Sequence, residues 1–236
     1  MPHGYGRALL KISGEALAGE GGFGLNHENT SQTAAQLAQA SSEGRQLGVV
    51  IGAGNILRGV DAVSVGVPRL VADEMGMIAT VINALALRAA LESEGAKARA
   101  MSAFPVGRFI EIFEREKAHD YLEQGYVVVF AGGTGNPCFT TDSAAALRAV
   151  EIQADVLVKG TQVAGVFDRD PREHADASFF ETISPEEYLK RGLRVLDAAC
   201  VDILSKSGIP AIVLNMHVQG NILKALNGEK VGSTIR

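Results

Sequence analysis

The sequence predicts an α/β fold, a largely parallel central sheet with helices on both faces: a three-layer α/β/α sandwich. Three observations point there. Strand-like and helix-like segments alternate along the chain, the pattern of βα units. The strand-like runs at 7–12, 48–52, 126–131, 155–160 and 211–215 are almost wholly apolar, as strands covered on both faces are. Three of them run into glycine-bearing turns, at 13–14, 52–54 and 132–135. In open parallel sheets, ligands bind beyond the carboxyl ends of the strands.

Size and composition narrow the class. The 236 residues are 47% hydrophobic and 21% charged, enough for one large domain, 1–236, with a core that needs no disulfide or metal. Cys138 and Cys200 stand in no zinc or redox spacing, so a reducing, cytoplasmic setting is expected. The first residues show no basic-then-apolar leader pattern. The longest apolar run, Met77 to Leu87, is broken by Thr80 and Asn83 and is too short to span a bilayer. Net charge is −5 with no basic stripe, which argues against a nucleic-acid partner.

In chain order, the run at 7–12 reads as the first strand. A glycine-rich stretch follows, Gly19-Glu20-Gly21-Gly22-Phe23-Gly24, and then a helix expected over 31–47. The second strand, at 48–52, leads into Ala53-Gly54-Asn55, with Arg58 just beyond. Residues 68–94 read as one long helix. Val71, Met75, Ile78, Ile82, Leu85 and Ala89 step by four and three, and Leu70, Met77, Val81 and Ala84 form a second apolar set. Such a helix is buried in the monomer or at a subunit contact, and Asp73 and Glu74 are out of place on it. A third strand at 97–101 and a helix at 115–124 precede the central strand at 126–131. A helix is expected from 143 to 152, with Asp142 or Ser143 as its N-cap. After the strand at 155–160, residues 161–171 read as irregular. Ser184-Pro185-Glu186-Glu187 is a helix start. A helix at 197–208, a strand at 211–215 and a helix near Asn221 complete the chain.

The chemistry candidates cluster at strand ends. Gly19-x-Gly21-x-x-Gly24 spells the dinucleotide fingerprint, but no strand runs directly into it, so it reads as a surface loop. No Gly-Lys-Ser/Thr occurs, which excludes a P-loop, and the five histidines show no metal spacing. Lys11 ends the first strand, Arg58 follows the second and Asp142 follows the central one. Lys11 and Lys159 both admit the plain reading of strand-end lysines reaching solvent. Cations beside glycine turns, with hydroxyls at 140, 141 and 143 before a helix, suit a phosphate-rich ligand.

Six segments carry a resemblance: Lys11-Ile-Ser-Gly-Glu15, Gly52-Ala-Gly-Asn-Ile-Leu-Arg-Gly59, Ala72-Asp-Glu-Met-Gly-Met77, Thr134-Gly-Asn-Pro-Cys-Phe-Thr-Thr-Asp142, Lys159-Gly-Thr and Gly165-Val-Phe. In this order the chain resembles the bacterial uridylate (UMP) kinases of the amino acid kinase superfamily, over nearly its whole length. The resemblance implies transfer of the γ-phosphoryl of ATP to UMP, with Mg²⁺. It implies ATP contacts at Lys11, Ile12, Ser13, Gly14, Gly54, Arg58, Thr161, Phe167 and Asp170. It implies UMP contacts at Ala53, Asp73, Thr134, Gly135, Asn136, Pro137, Cys138, Phe139, Thr140 and Thr141. Residues up to about 154 would face mainly UMP, and 155–236 mainly ATP. The stretch from Gly19 through Glu20, Gly21, Gly22 and Phe23 to Gly24 matches a loop associated with GTP activation, with Phe23 expected to anchor it. A homohexamer inhibited by UTP is implied in the same way. Three departures are visible: Ala53 where glycine is usual, Cys138 where phenylalanine is common, and Ala164 for a usual Asp.

Lys11, Arg58, Asp142 and Asp197 are the catalytic candidates. Asp142 and Asp197 would orient a lysine or hold Mg²⁺ through water, and for Asp197 a helix N-cap is an equal reading. Two alternatives stay open: another small-molecule kinase of the superfamily, or a non-catalytic nucleotide-binding storage or regulatory assembly.

Overall fold

The computed structural model describes residues 4–58, 63–64 and 66–236; Gly59, the last residue of the second motif, lies outside them. Strands β1 (Arg7–Ile12), β2 (Gln46–Ile51), β3 (Ala98–Ser102), β4 (Glu111–Ile112), β5 (Val127–Ala131), β6 (Val156–Thr161), β9 (Thr182–Ile183), β10 (Ala211–Asn215) and β11 (Ser233–Ile235) form one sheet. Its order is β4-β3-β5-β2-β1-β6-β10-β11-β9. Every neighbouring pair is parallel except β10 with β11. The two-residue strands β7 (Val166–Phe167) and β8 (Phe179–Phe180) form a separate antiparallel ribbon.

Side chains alternate across a strand, and that parity builds two cores. Ala8, Leu10 and Ile12 face the layer of α1 (His27–Ser42), α2 (Arg69–Ser93) and α7 (Asn221–Leu226). Leu9, Val50, Val128 and Leu157 face the layer of α3 (Arg115–Glu123), α4 (Thr141–Glu151), α5 (Pro185–Lys190) and α6 (Ala198–Ser207). Lys11 and Lys159 have the parity of Leu9 and Leu157, so they lie on the α4 side.

The predicted architecture is the observed one, with local differences. α1 begins four residues before the expected Ser31, because Asn26 caps it by accepting the amide of Asn29 at 3.0 Å. It stops at Ser42 because Gly44 takes a left-handed φ of 84°, and Gln46 already belongs to β2. The N-cap of α4 is Thr140, not Asp142 or Ser143: its Oγ1 accepts from Asp142 N at 3.0 Å and Ser143 N at 3.4 Å. Strands β4, β7, β8, β9 and β11 went unread in the sequence.

α2 is the one helix among the described residues long and apolar enough to cross a membrane by length and composition. It packs on β3 and β5. Its two polar breaks are buried and used: Thr80 Oγ1 accepts the amide of Gly132 at 2.7 Å, and Asn83 Nδ2 donates to the carbonyl of Gly52 at 2.7 Å.

Candidate active site

The carboxyl ends of β1, β2, β5 and β6 and the start of α4 meet at one place. β1 and β6 are neighbours in a register that sets Lys11 directly opposite Lys159. Two like charges opposite one another repel, and the structure answers with a carboxylate between them. Asp142 Oδ1 lies 2.9 Å from Lys11 Nζ, and Oδ2 lies 2.6 Å from Lys159 Nζ. All three side chains are nearly buried. Oδ1 has no well-directed hydrogen bond, so its contact with Lys11 is ionic in character. Burial alone would raise the Asp142 carboxyl, but the two adjacent ammonium groups prevail and hold it below the ordinary carboxylate range. Burial lowers Lys159 beneath the usual lysine range, and Asp142 only partly offsets that. Lys159 Nζ also donates to the carbonyl of Val195.

Asp197 contacts neither lysine. It caps α6, accepting Cys200 N at 2.6 Å on Oδ1, and it accepts Ser143 Oγ at 3.0 Å on Oδ2 as well as the hydroxyl of Thr140. The expectation that it orients a lysine gives way to another: it ties the start of α4 to the start of α6. Of the readings made of it from sequence, the helix cap is the one its hydrogen bonds form. Arg58 is exposed and pairs with Glu15 at 2.5 Å.

Two open cavities lie at these strand ends, and the larger is lined by both lysines. One, of about 160 Å³, is lined by Ala53, Gly54, Asp73, Thr134, Asn136, Phe139 and Thr141, with Met77 and Thr80 of α2. Ala53 does not take a left-handed φ, so an alanine costs the turn nothing. Asp73 is not the isolated charge its sequence setting suggested. Its Oδ1 accepts from Arg69 Nε at 2.9 Å and its Oδ2 from Cys138 N at 2.9 Å. Cys138 is exposed and holds a left-handed φ of 69°. Gly135, Pro137, Cys138 and Thr140 complete the loop without lining the cavity.

The other cavity, about 300 Å³, is lined by Lys11, Ser13, Glu15, Lys159 and Thr161, with His217. Val163, Arg172 and Val195 also border a neighbouring space of about 480 Å³ that holds Phe167 and Asp170. There Phe167 meets Phe179 edge-on at 5.2 Å. Arg172, 2.7 Å away, holds the Asp170 carboxyl down at about 2. Ile12, predicted at the site, turns its side chain into the opposite core and offers only backbone. Gly14 is buried, and Gly54 faces the smaller cavity.

The Gly19–Gly24 loop is anchored differently from the expectation. Phe23 is 78% exposed and anchors nothing. The loop's end is clipped instead, by Gly24 N to the carbonyl of Asn55 and by Asn55 Nδ2 to the carbonyl of Gly24, each at 2.7 Å.

Residues 6–215 match the model of the amino acid kinase family. The uridylate kinase of Xanthomonas euvesicatoria pv. vesicatoria is 44% identical over 232 residues, 98% of this chain and 97% of that protein. The chain belongs to the amino acid kinase family, among its uridylate kinases. The solved UMP kinase of Bacillus anthracis superposes with a TM-score of 0.96 at 33% identity, covering 99% of this chain and 97% of that one. That of Ureaplasma parvum gives 0.91 at 31%, covering 100% and 99%.

Within this family member, sequence reasoning passed over Lys159 as a site residue, along with Thr80, Asn55, Asn83, Arg172 and His217. A signal for Lys159 was present: Val158-Lys159 repeats, at a second strand end, the Leu10-Lys11 pattern of the first.

Proposed function

We propose that the chain transfers the γ-phosphoryl group of ATP to UMP, giving UDP and ADP, at the Lys11–Asp142–Lys159 bridge between the two cavities. That bridge carries the reading. Two buried ammonium groups share one carboxylate, so the trio keeps a net positive charge where two anionic phosphates would meet. UMP occupies the smaller cavity, built from residues before 154. ATP extends from Lys11, Ser13 and the buried turn at Gly14 toward Thr161, Phe167 and Asp170, the last three lying after 155.

The chemistry needs no general base. The second pKa of a phosphate monoester is about 6, so the nucleophilic oxygen of UMP is already unprotonated at neutral pH. That oxygen forms a bond to the γ-phosphorus as the bond to the β,γ-bridging oxygen breaks, and ADP leaves with that electron pair. The protein's task is to bring the reactants into line and to neutralise charge on the transferred group. Lys11 and Lys159 do this from the sheet, the N-terminal amides of α4 from the helix, and Arg58 from the rim once it leaves Glu15.

Among the described residues no three acidic, histidine or cysteine side chains converge to hold a metal. Mg²⁺ arriving with ATP would add positive charge against the phosphates, with Asp142 and Asp197 the side chains that would hold it through water. The same reading makes the chain a cytoplasmic homohexamer, with GTP acting at the 19–24 loop and UTP as inhibitor. The exposed apolar stripe Val71, Met75, Ile78 and Ile82 on α2 supports the self-association part of this reading.

An ADP-release assay with UMP, CMP, dUMP and small carboxylates as acceptors tests this. Turnover with UMP is expected to exceed that with dUMP by at least about tenfold in kcat/KM, because Asp73 faces the nucleoside cavity and a charge-assisted bond to a ribose hydroxyl contributes roughly 1.5–3 kcal/mol. Turnover with a carboxylate in preference to UMP would overturn the assignment.

A further inference from the structure

We infer that Asn55 and Asn83 are a positioning pair for phosphoryl transfer, fixing the turn after β1 against the turn after β2; the inference rests on the kinase reading above. Both carboxamides are fully buried. Asn83 Nδ2 donates to Asn55 Oδ1 at 2.7 Å and to the carbonyl of Gly52 at 2.7 Å, and Asn55 Nδ2 donates to Asn83 Oδ1 at 3.2 Å and to the carbonyl of Gly24 at 2.7 Å. Each amide faces a backbone carbonyl that can only accept, which settles its orientation.

The pair is also the seat of Gly14. A Cβ built there would fall 2.3 Å from Asn55 Oδ1, 2.6 Å from the Gly52 carbonyl and 2.8 Å from Asn83 Nδ2. The β1 turn therefore rests directly on the two amides, and no side chain fits between. An apolar pair would fill this volume but leave the carbonyls of Gly52 and Gly24 without these donors. What the amides add is direction. They hold the turn that carries Ala53 and Gly54 by hydrogen bonds at Gly52 and Gly24, and the backbone beside Ser13 packs on them at Gly14, which sets one cavity's floor against the other's. Neither amide lines a cavity, so they act through the turns and not on the substrates.

The test uses the full chain with Asn55→Ala, Asn83→Ala and the double variant. It measures kcat, separate Kd values for UMP and for a non-hydrolysable ATP analogue, and thermal unfolding. Misplacement by about 1 Å costs on the order of a hundredfold. Each single variant should lose at least about tenfold in kcat, with either Kd changing less than about threefold. The double should be little worse than the singles, as expected of groups acting as a unit. Lower melting with normal kcat per folded molecule, or a kcat loss matched by equal losses in Kd, would overturn the inference. Should the alanine variants not fold, the isosteric Asn83→Asp keeps the acceptor for Asn55 and loses both donors, and wild-type kcat in that variant is equally fatal. A wild type that binds both nucleotides yet does not phosphorylate UMP removes the kinase reading itself, and the pair's role with it.

Discussion

Asp142→Asn isolates the charge that lets two lysines share one site. The substitution is isosteric and leaves the residue-142 amide on Thr140 Oγ1, so neither a cavity nor a lost cap confuses the result. At an effective dielectric of about 20, a unit-charge contact near 2.6–2.9 Å gives about 6 kcal/mol of gross attraction. Burying each ion costs several kcal/mol in return, so the trio as a whole contributes little net stability. Its removal is a different matter. Taking one partner from a buried ion pair leaves uncompensated charge and costs about 3–5 kcal/mol, here aggravated by Lys11 facing Lys159 across one strand register. That is a large share of a typical stability of about 5–15 kcal/mol.

Urea unfolding should report that loss as a lower midpoint with unchanged slope, and kcat should fall at least about a hundredfold. An ATP analogue should restore part of the stability, because its phosphates supply the missing anion. The gap should also close in acid. The folded Asp142 carboxyl titrates below its ordinary range, so its stabilisation is complete at neutral pH and is lost as pH falls through that depressed value. A variant within about 1 kcal/mol and threefold in kcat of wild type at neutral pH would refute the argument that Asp142 is the shared counter-ion.

Three further outcomes are expected. Lys159 loses its proton below the usual lysine range, so kcat/KM for ATP should decline on the alkaline side below that range, and Lys159→Arg, which stays charged, should move the decline to higher pH; an unmoved limb would assign it to another group. Bulky alkylation of exposed Cys138 should inactivate and bound UMP should slow it, since the Cys138 amide is held by Asp73 at the smaller cavity; full activity after stoichiometric labelling would mean that the thiol points away from the nucleotide. Phe23→Ala should leave basal turnover intact, as Phe23 touches neither cavity; a loss of basal turnover would put the loop in the active site.

The sequence yielded most where a single force decides. Arg7–Ile12 and Ala211–Asn215 were legible to the residue, since apolar strands stop where turn residues begin. Ser184 and Asp197 announced their helices by capping chemistry. The failures share a cause: partners distant in the chain. Strands of two or three residues such as β9 and β11 have no periodicity of their own and exist only because a neighbour pairs with them. For Asp73 the distant partner, Cys138 N, lies 65 positions away, whereas the pairing with Arg69 at i,i+4 was legible on the helix and was missed. Phe23 looked like an anchor because aromatic residues usually bury, and nothing local shows that Asn55 already holds Gly24.

α2 shows how one helix can be apolar nearly all round and still carry the site. Asp73, Thr80 and Asn83 step by seven and three, which keeps them on one side of a helix. That side meets the sheet, and each of the three reaches a different turn: Asp73 the loop at Cys138, Thr80 the glycine at 132, Asn83 the turn at Gly52. Around them Ala72, Ala79, Val81, Ala84, Leu87 and Leu91 fill the core. The other set, Val71, Met75, Ile78 and Ile82, is left in solvent. That apolar stripe is the back of the same rod whose inner side holds the turns at 52–55 and 132–138. Any displacement of the rod would shift the turns at 52–55 and 132–138 together, because short hydrogen bonds join them to it. The polar breaks at Thr80 and Asn83, which looked like flaws in an apolar run, are therefore what makes the helix more than a core element.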